Sequence, residues 1–173
     1  MSYISVDVES DGPVQGEHSM VCFGAVVVEP SLTKTFYGKV KPISDIWIPS
    51  ALEISGFSRK EHLTFDEPEK VMNEFVDWLN SGVTKGRPIF LSDNNGYDFA
   101  WMNWYLHKYV GRNPFGWSSR RIGDLWCGYE NNMFAKWKGM RKTKHSHNPL
   151  DDAMANAEAV LEMQKRGLNI KLK

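Results

Sequence analysis

Three groups of polar side chains stand where their types and spacing could do chemistry. The first is Asp7 with Glu9. Residues 3–8 alternate as a strand requires, with Ile4, Val6 and Val8 on one face and Ser5, Asp7 and Glu9 on the other. Both carboxylates therefore project from one side of what reads as the central strand. Two anions so placed repel unless one takes a proton or a cation lies between them. An oxygen-only ligand set suits Mg²⁺ or Mn²⁺ better than Zn²⁺. The polar face of an exposed edge strand would look the same.

The second group lies in His147-Asn148-Pro149-Leu150-Asp151-Asp152. Asn148 is a good N-cap, Pro149 suits the first helical position, and Asp151 falls where a capping-box acid sits. Asp152 has no capping duty. With Asn148 as cap, His147 and Asp152 occupy the two positions that touch in a staple, here an imidazole against a carboxylate. An ordinary helix-start acid beside an exposed histidine is the plain alternative. His145 competes with His147 for this place, and the spacing to Asp152 favours His147. The third group is Asp98, at the start of a helix entered from a strand. It could equally be a helix-start acid paired with an Asn95 cap.

These side chains must be positioned by strands and helices, and the hydrophobic pattern supplies them. Residues 20–28 form a valine-rich apolar run, hence a buried strand, and residues 34–40 return after a turn at Pro30 as a third strand. Helices are expected at 50–55 and at 69–79, the latter carrying Val71, Met72, Phe75, Val76 and Leu79. A short strand follows at 88–91, then an aromatic helix at 97–109 ended by Gly111 and Pro114. A further short strand precedes Asp124, with a helix through about Ala135, and an alanine-rich helix closes the chain at 150–165. Trp101 and Trp104, at helical spacing, are expected in the core. The pattern is α/β, a mixed sheet with helices on both faces.

Composition narrows the function. At 173 residues the chain has the size of one domain, residues 1–173. Its 21 basic and 21 acidic side chains cancel, which excludes a histone-like polycation and an acidic disordered tail. Cys22 and Cys127 lack metal-site spacing and make no disulfide framework. No basic leader opens the chain and no apolar run approaches a membrane span, so a reduced, cytoplasmic protein without membrane contact is expected. The neutral total hides a segregation. Residues 1–33 hold acids and no Lys or Arg, whereas 131–149 hold Lys136, Lys138, Arg141, Lys142 and Lys144 and no acid.

In order and spacing, Asp7-x-Glu9, Asp98 and His147-x4-Asp152 resemble the DEDDh branch of the DnaQ-like 3′-5′ exonucleases. Asp7-Val-Glu9-Ser10-Asp11-Gly12 is similar to the first motif of that family, and Val21 to Val28 to its second strand. Ala51-Leu-Glu-Ile-Ser-Gly-Phe57 is similar to the element that lies against the terminal base. Asp93-Asn94-Asn95-Gly96-Tyr97-Asp98 resembles the middle motif, and Asp124-Leu125 the segment that follows it. Two departures bear on nucleotide contacts: Ser55 stands where many members have His before the Gly, and Asp93-Asn94 where a His-Asn pair is common.

The resemblance implies a ribonuclease H-like fold with a five-stranded mixed sheet. It also implies two Mg²⁺ (or Mn²⁺) ions held by Asp7, Glu9, Asp98 and Asp152, with His147 as general base. Ser10, Asp11, Gly12, Leu52, Phe57, Asn94 and Tyr97 would meet the substrate, and Lys144 of the basic segment its phosphates. The expected partner is the 3′ end of single-stranded nucleic acid, RNA or DNA, with nucleoside 5′-monophosphates as product. An internal-cutting nuclease of ribonuclease H type and a catalytically silent binding module on the same fold are the rivals.

Overall fold

The strand that carries Asp7 and Glu9 is β1, Ser2–Ser10, and it lies in the middle of a five-stranded sheet. In the computed structural model, which describes residues 1–172, the chain turns back through β2, Met20–Val27, and β3, Thr35–Lys39, as an antiparallel run. On the other side of β1, β4 (Pro88–Ser92) and β5 (Ser119–Arg121) pair in parallel, so the sheet order is β3-β2-β1-β4-β5. The helices are α1 (Pro49–Ile54), α2 (Arg59–His62), α3 (Pro68–Trp78), α4 (Asn95–Val110), α5 (Ile122–Tyr129) and α6 (Pro149–Lys165). Among the described residues no helix is long and apolar enough to cross a membrane.

The alternation in β1 assigns its faces. Ile4, Val6 and Val8 are buried against Val71, Phe75, Trp101, Met102 and Tyr105, the inner sides of α3 and α4. On the opposite face Val26 and Leu91 pack with Ile122, Trp126, Ala153, Ala157 and Val160 of α5 and α6. Asp7 and Glu9 share that second face, at the end of the strand where α6 begins. Trp101 is buried and Trp104 packs against the same core, as their spacing requires.

Two expected elements change. The helix after β5 stops at Tyr129, short of Ala135, and Asn131 follows with φ 50. The segment beyond it instead bends back so that Trp137 packs on Gly123, where an added Cβ would lie 3.0 Å from the indole Nε1. Helix α2 was not foreseen, although its start is written in Ser58-Arg-Lys-Glu61. The Ser58 hydroxyl accepts from the Glu61 N–H at 3.3 Å, and the Glu61 carboxylate accepts from the Ser58 N–H at 2.8 Å.

Gly24 decides how close α6 comes. It sits in β2 directly across from Asp7. A Cβ there would lie 2.4 Å from the backbone of Leu150 and Pro149, closer than any contact a real side chain tolerates. The first turn of α6 therefore rests on bare backbone, and its alanines let the rest of the helix follow. Gly24→Ala is expected to cost about 1–3 kcal/mol through overpacking. Gly128→Ala, in α5 with nothing within 4 Å of the new methyl, should stabilise by about 0.5–1 kcal/mol. Thermal unfolding of the two variants checks this. Equal and small shifts would show that the Gly24 contact does not seat the helix.

Candidate active site

Helix α6 delivers Asp152 to Asp7 and Glu9. One oxygen from each of these three carboxylates falls within 4.8 Å of the others. Asp98 enters from the far side of β1, on the first turn of α4, and is buried. Its Oδ2 and that of Asp152 are enclosed without any hydrogen-bond partner. Buried carboxylate oxygens are rarely left unpaired. Here they mark places for a cation to occupy.

The electrostatics agree. Burial holds the Asp7 carboxyl well above its ordinary range, and the charges of Asp98, Glu9 and Asp152 push further, with Arg141 opposing them. Burial, then the charge of Asp152, lifts Glu9 to about 7. Asp98 is also raised by burial, against the Ser92 hydroxyl and the Val8 N–H. Asp7, Glu9 and Asp98 resist ionisation beside the Asp152 carboxyl, and such a site asks for positive charge. All the donors are oxygens, the set that Mg²⁺ and Mn²⁺ prefer.

The histidines differ from the expected staple. Asn148 caps α6, its side chain accepting from the Leu150 N–H at 3.0 Å. Asp151 does not close the capping box; it accepts instead from the Ser146 hydroxyl at 2.9 Å. The contact expected between His147 and Asp152 is made by His145, whose Nδ1 lies 2.8 Å from Asp152 Oδ1. His147 adopts a left-handed backbone, φ 58, and its Nδ1 lies 3.9 Å from Glu9 Oε1. The left-handed turn swings residue 147 across the helix start rather than down its side, which is why the staple geometry fails. Both rings are about half exposed, with centroids 4.3 Å apart.

The expected substrate contacts divide. Leu52 lines a cavity of about 560 Å³ with Trp47, Pro49, Gly56, Phe57 and Arg59 beside the site. Asn94 is exposed at the start of α4, and Lys144 is exposed one residue before His145. The Ser10 hydroxyl donates to the Gly12 carbonyl at 2.6 Å and meets the Tyr97 hydroxyl, which joins the first motif to the middle one. Gly12 has no room for a side chain, because a Cβ would lie 1.9 Å from the His18 ring.

Asp11 is a correction. Its side chain is fully buried and accepts from the Ser19 N–H at 2.5 Å and from Arg59 at 3.0 Å, so it cannot reach a substrate. Burial drives this exchange: an enclosed carboxylate needs a cation and donors of its own. Asn95 does not cap α4 but ties β4 to β5, accepting from the Ser119 hydroxyl at 2.5 Å. The basic segment is also less free than its charge implied. Lys138 and Arg141 both reach Asp93, at 2.7 and 3.0 Å, and Glu158 accepts from the Lys142 and Thr143 N–H groups. Asp124 pairs with Arg121 outside the site.

Sequence reading missed Arg59 and Arg141. Arg59 anchors α2 to the end of β1 through Asp11, and its guanidinium lies 5.5 Å from the Trp47 ring. Arg141 bridges Asp93 to Asn156, donating to the latter at 2.6 Å. A signal for the second existed: Asn156 follows Asp152 by one helical turn on the alanine-rich side of α6, a polar pair where apolar residues belong.

No family model matches the chain. The 3′-5′ DNA exonuclease Cap18 of Escherichia coli is 36% identical over 169 residues, which cover 90% of this chain and 88% of that protein. The chain belongs to the DEDDh 3′-5′ exonucleases. Solved structures agree in fold. The nuclease domain of 3′hExo, a DEDDh member bound to rAMP, superposes with TM-score 0.79 at 17% identity over 99% of this chain and 96% of that one. Pop2p of S. pombe, solved with Mg²⁺ and Mn²⁺, gives TM-score 0.69 at 16% identity over 98% and 86%. This DEDDh protein is thus a 3′-5′ exonuclease that hydrolyses nucleic acid, and its acidic cluster fits the divalent metal such enzymes use.

A pH dependence follows from the crowding. At low pH the carboxyls are protonated in the folded and the unfolded chain alike, with no penalty. As pH climbs past about 4 the unfolded chain ionises while the folded one resists, so folding stability falls through pH 7. In EDTA the melting temperature of this exonuclease should drop between pH 5 and pH 8, and Mn²⁺ should restore it at pH 8. Glu9→Gln should flatten the slope. A wild-type profile no steeper than that of the variant would refute the crowding.

Proposed function

We propose that this enzyme releases nucleoside 5′-monophosphates one at a time from the 3′ end of single-stranded DNA. Two divalent cations would be held by Asp7, Glu9, Asp98 and Asp152, with His147 as general base. The observation that carries this reading is the convergence of Asp7 and Glu9 of β1 with Asp152 of α6, within reach of the Asp98 charge and with an imidazole beside Glu9. DNA is favoured over RNA because the 36% identical relative is a DNA exonuclease.

Bound together, such ions neutralise the phosphate oxygens, make water a better nucleophile and stabilise the departing 3′-oxygen. The protein's own residues do the rest. Asp7 lies between the other acids and is suited to bridge. Glu9 and Asp152 face the side that His147 approaches, and Asp98 supports the opposite side. His147 turns Nδ1 toward Glu9, which leaves Nε2 as the nitrogen to take a proton from the attacking water. Its exposed loop allows it to close when substrate arrives. The terminal base would rest against Leu52 and Phe57, whose ring is braced edge-on by Phe65 at 4.9 Å. The Ser10–Tyr97 contact fixes the first turn of α4 to the end of β1.

Matched DNA and RNA oligonucleotides labelled at the 5′ end test the proposal with Mn²⁺ present. A ladder shortening from the 3′ end, faster on DNA, is expected. Asp7→Asn should abolish it, and His147→Ala should slow it by about 10²–10⁴-fold. Internal cuts, binding without cleavage, or a clear preference for RNA would each overturn the corresponding part.

A further inference from the structure

The loop before α6 holds a second possible ligand set, of different chemistry from the four acids. His145, His147 and Asp152 offer two imidazole nitrogens and one carboxylate oxygen, all within 4.8 Å of one another. Magnesium and manganese gain little from imidazole. Zinc favours it, and two histidines with one carboxylate plus an open fourth position is a common zinc arrangement.

The geometry points to an inhibitory Zn²⁺ site made of His145, His147 and Asp152, exclusive of the activating ions. His145 Nδ1 and Asp152 Oδ1 stand 2.8 Å apart, and ligand atoms around a tetrahedral Zn²⁺ lie roughly 3.3 Å from one another, so little movement is needed on that side. The His147 ring is already stacked edge-on against His145 at 4.3 Å. The segment is pinned at both ends. Glu158 accepts from the Lys142 and Thr143 N–H groups, and Asn148 caps α6, so the residues between can close without disturbing the fold. Asp152 Oδ2 is buried and unpartnered, an anion with spare valence.

Inhibition would follow from shared parts. An ion on this set takes Asp152 from the acidic cluster and ties up the imidazole that approaches Glu9. Two neutral nitrogens bind Zn²⁺ far better than Mn²⁺ or Mg²⁺, so trace zinc should outcompete a large excess of the activating ions. This inhibitory half rests on the reading of Asp152 and His147 given above, whereas zinc binding itself does not.

Calorimetric titration of the metal-free full-length protein with ZnCl₂ tests the binding. Wild type should take up one tight Zn²⁺. His145→Ala, at a half-exposed position that touches Asp152 but takes no proton in the hydrolysis above, should weaken that event at least tenfold with an unchanged circular dichroism spectrum, and Asp7→Asn should leave it tight. The same titration with MnCl₂ should not distinguish His145→Ala from wild type. In parallel, zinc should stop Mg²⁺-driven hydrolysis by wild type, and His145→Ala should need at least tenfold more zinc. Equal zinc affinity of wild type and His145→Ala, or loss of it in Asp7→Asn, would place the ion among the acids and overturn the inference. Tight binding without inhibition would remove the inhibitory half. Failure of wild type to cleave with Mg²⁺ in the absence of zinc would sink the nuclease reading instead, leaving the binding result to stand by itself.

Discussion

Burial of neighbouring carboxylates in a half-dry cleft governs this molecule, with their mutual repulsion added to it. Four carboxylates are pressed together by elements that reach them from different parts of the chain, and burial denies them the water that would screen them. Arg141 relieves the strain on Asp7 only in part, because its guanidinium is shared between Asp93 and Asn156. A protein folds around such a cluster only if packing elsewhere overrides the repulsion. The two apolar layers on either side of β1 supply that excess, and they use the same strand whose other positions carry the acids.

The precision of the cluster comes from backbone approach more than from side-chain contacts. Gly24 removes the one atom that would hold α6 off the sheet, and it does so opposite Asp7. Arg141 then fixes the other side of that helix start to the end of β4 through Asp93. Near the other end of the cleft, Arg59 and Asp11 perform the matching task, joining α2 to the strand that bears Asp7 and Glu9. Buried ion pairs are poor sources of stability, but breaking one leaves an unpaired charge, so they resist sliding. Both arginines act as spacers between the cleft and the elements that shape it.

Much of this was legible because it depends on local rules. Period-two alternation placed Asp7 and Glu9 on one face, and Asn148 with Pro149 marked the start of α6 within a residue. The central position of β1 and the antiparallel beginning of the sheet were readable as well. What escaped were choices between partners of equal chemical merit. The spacing favours His147, yet His145 takes Asp152, because a single left-handed residue redirects the loop. Spacing also does not say that Asp11 is spent on Arg59, a residue 48 positions away. Helix α2 was a different kind of omission: its capping box is local and visible, but four residues give no periodicity to notice.

The left-handed backbone of His147 has a further meaning. A φ of 58 costs a histidine something that glycine or asparagine would not pay. The residues that would relax that bend cannot accept a proton near neutrality. If His147 is the base proposed above, durability and turnover pull this one position in opposite directions, and selection for heat resistance alone would erode the activity there first.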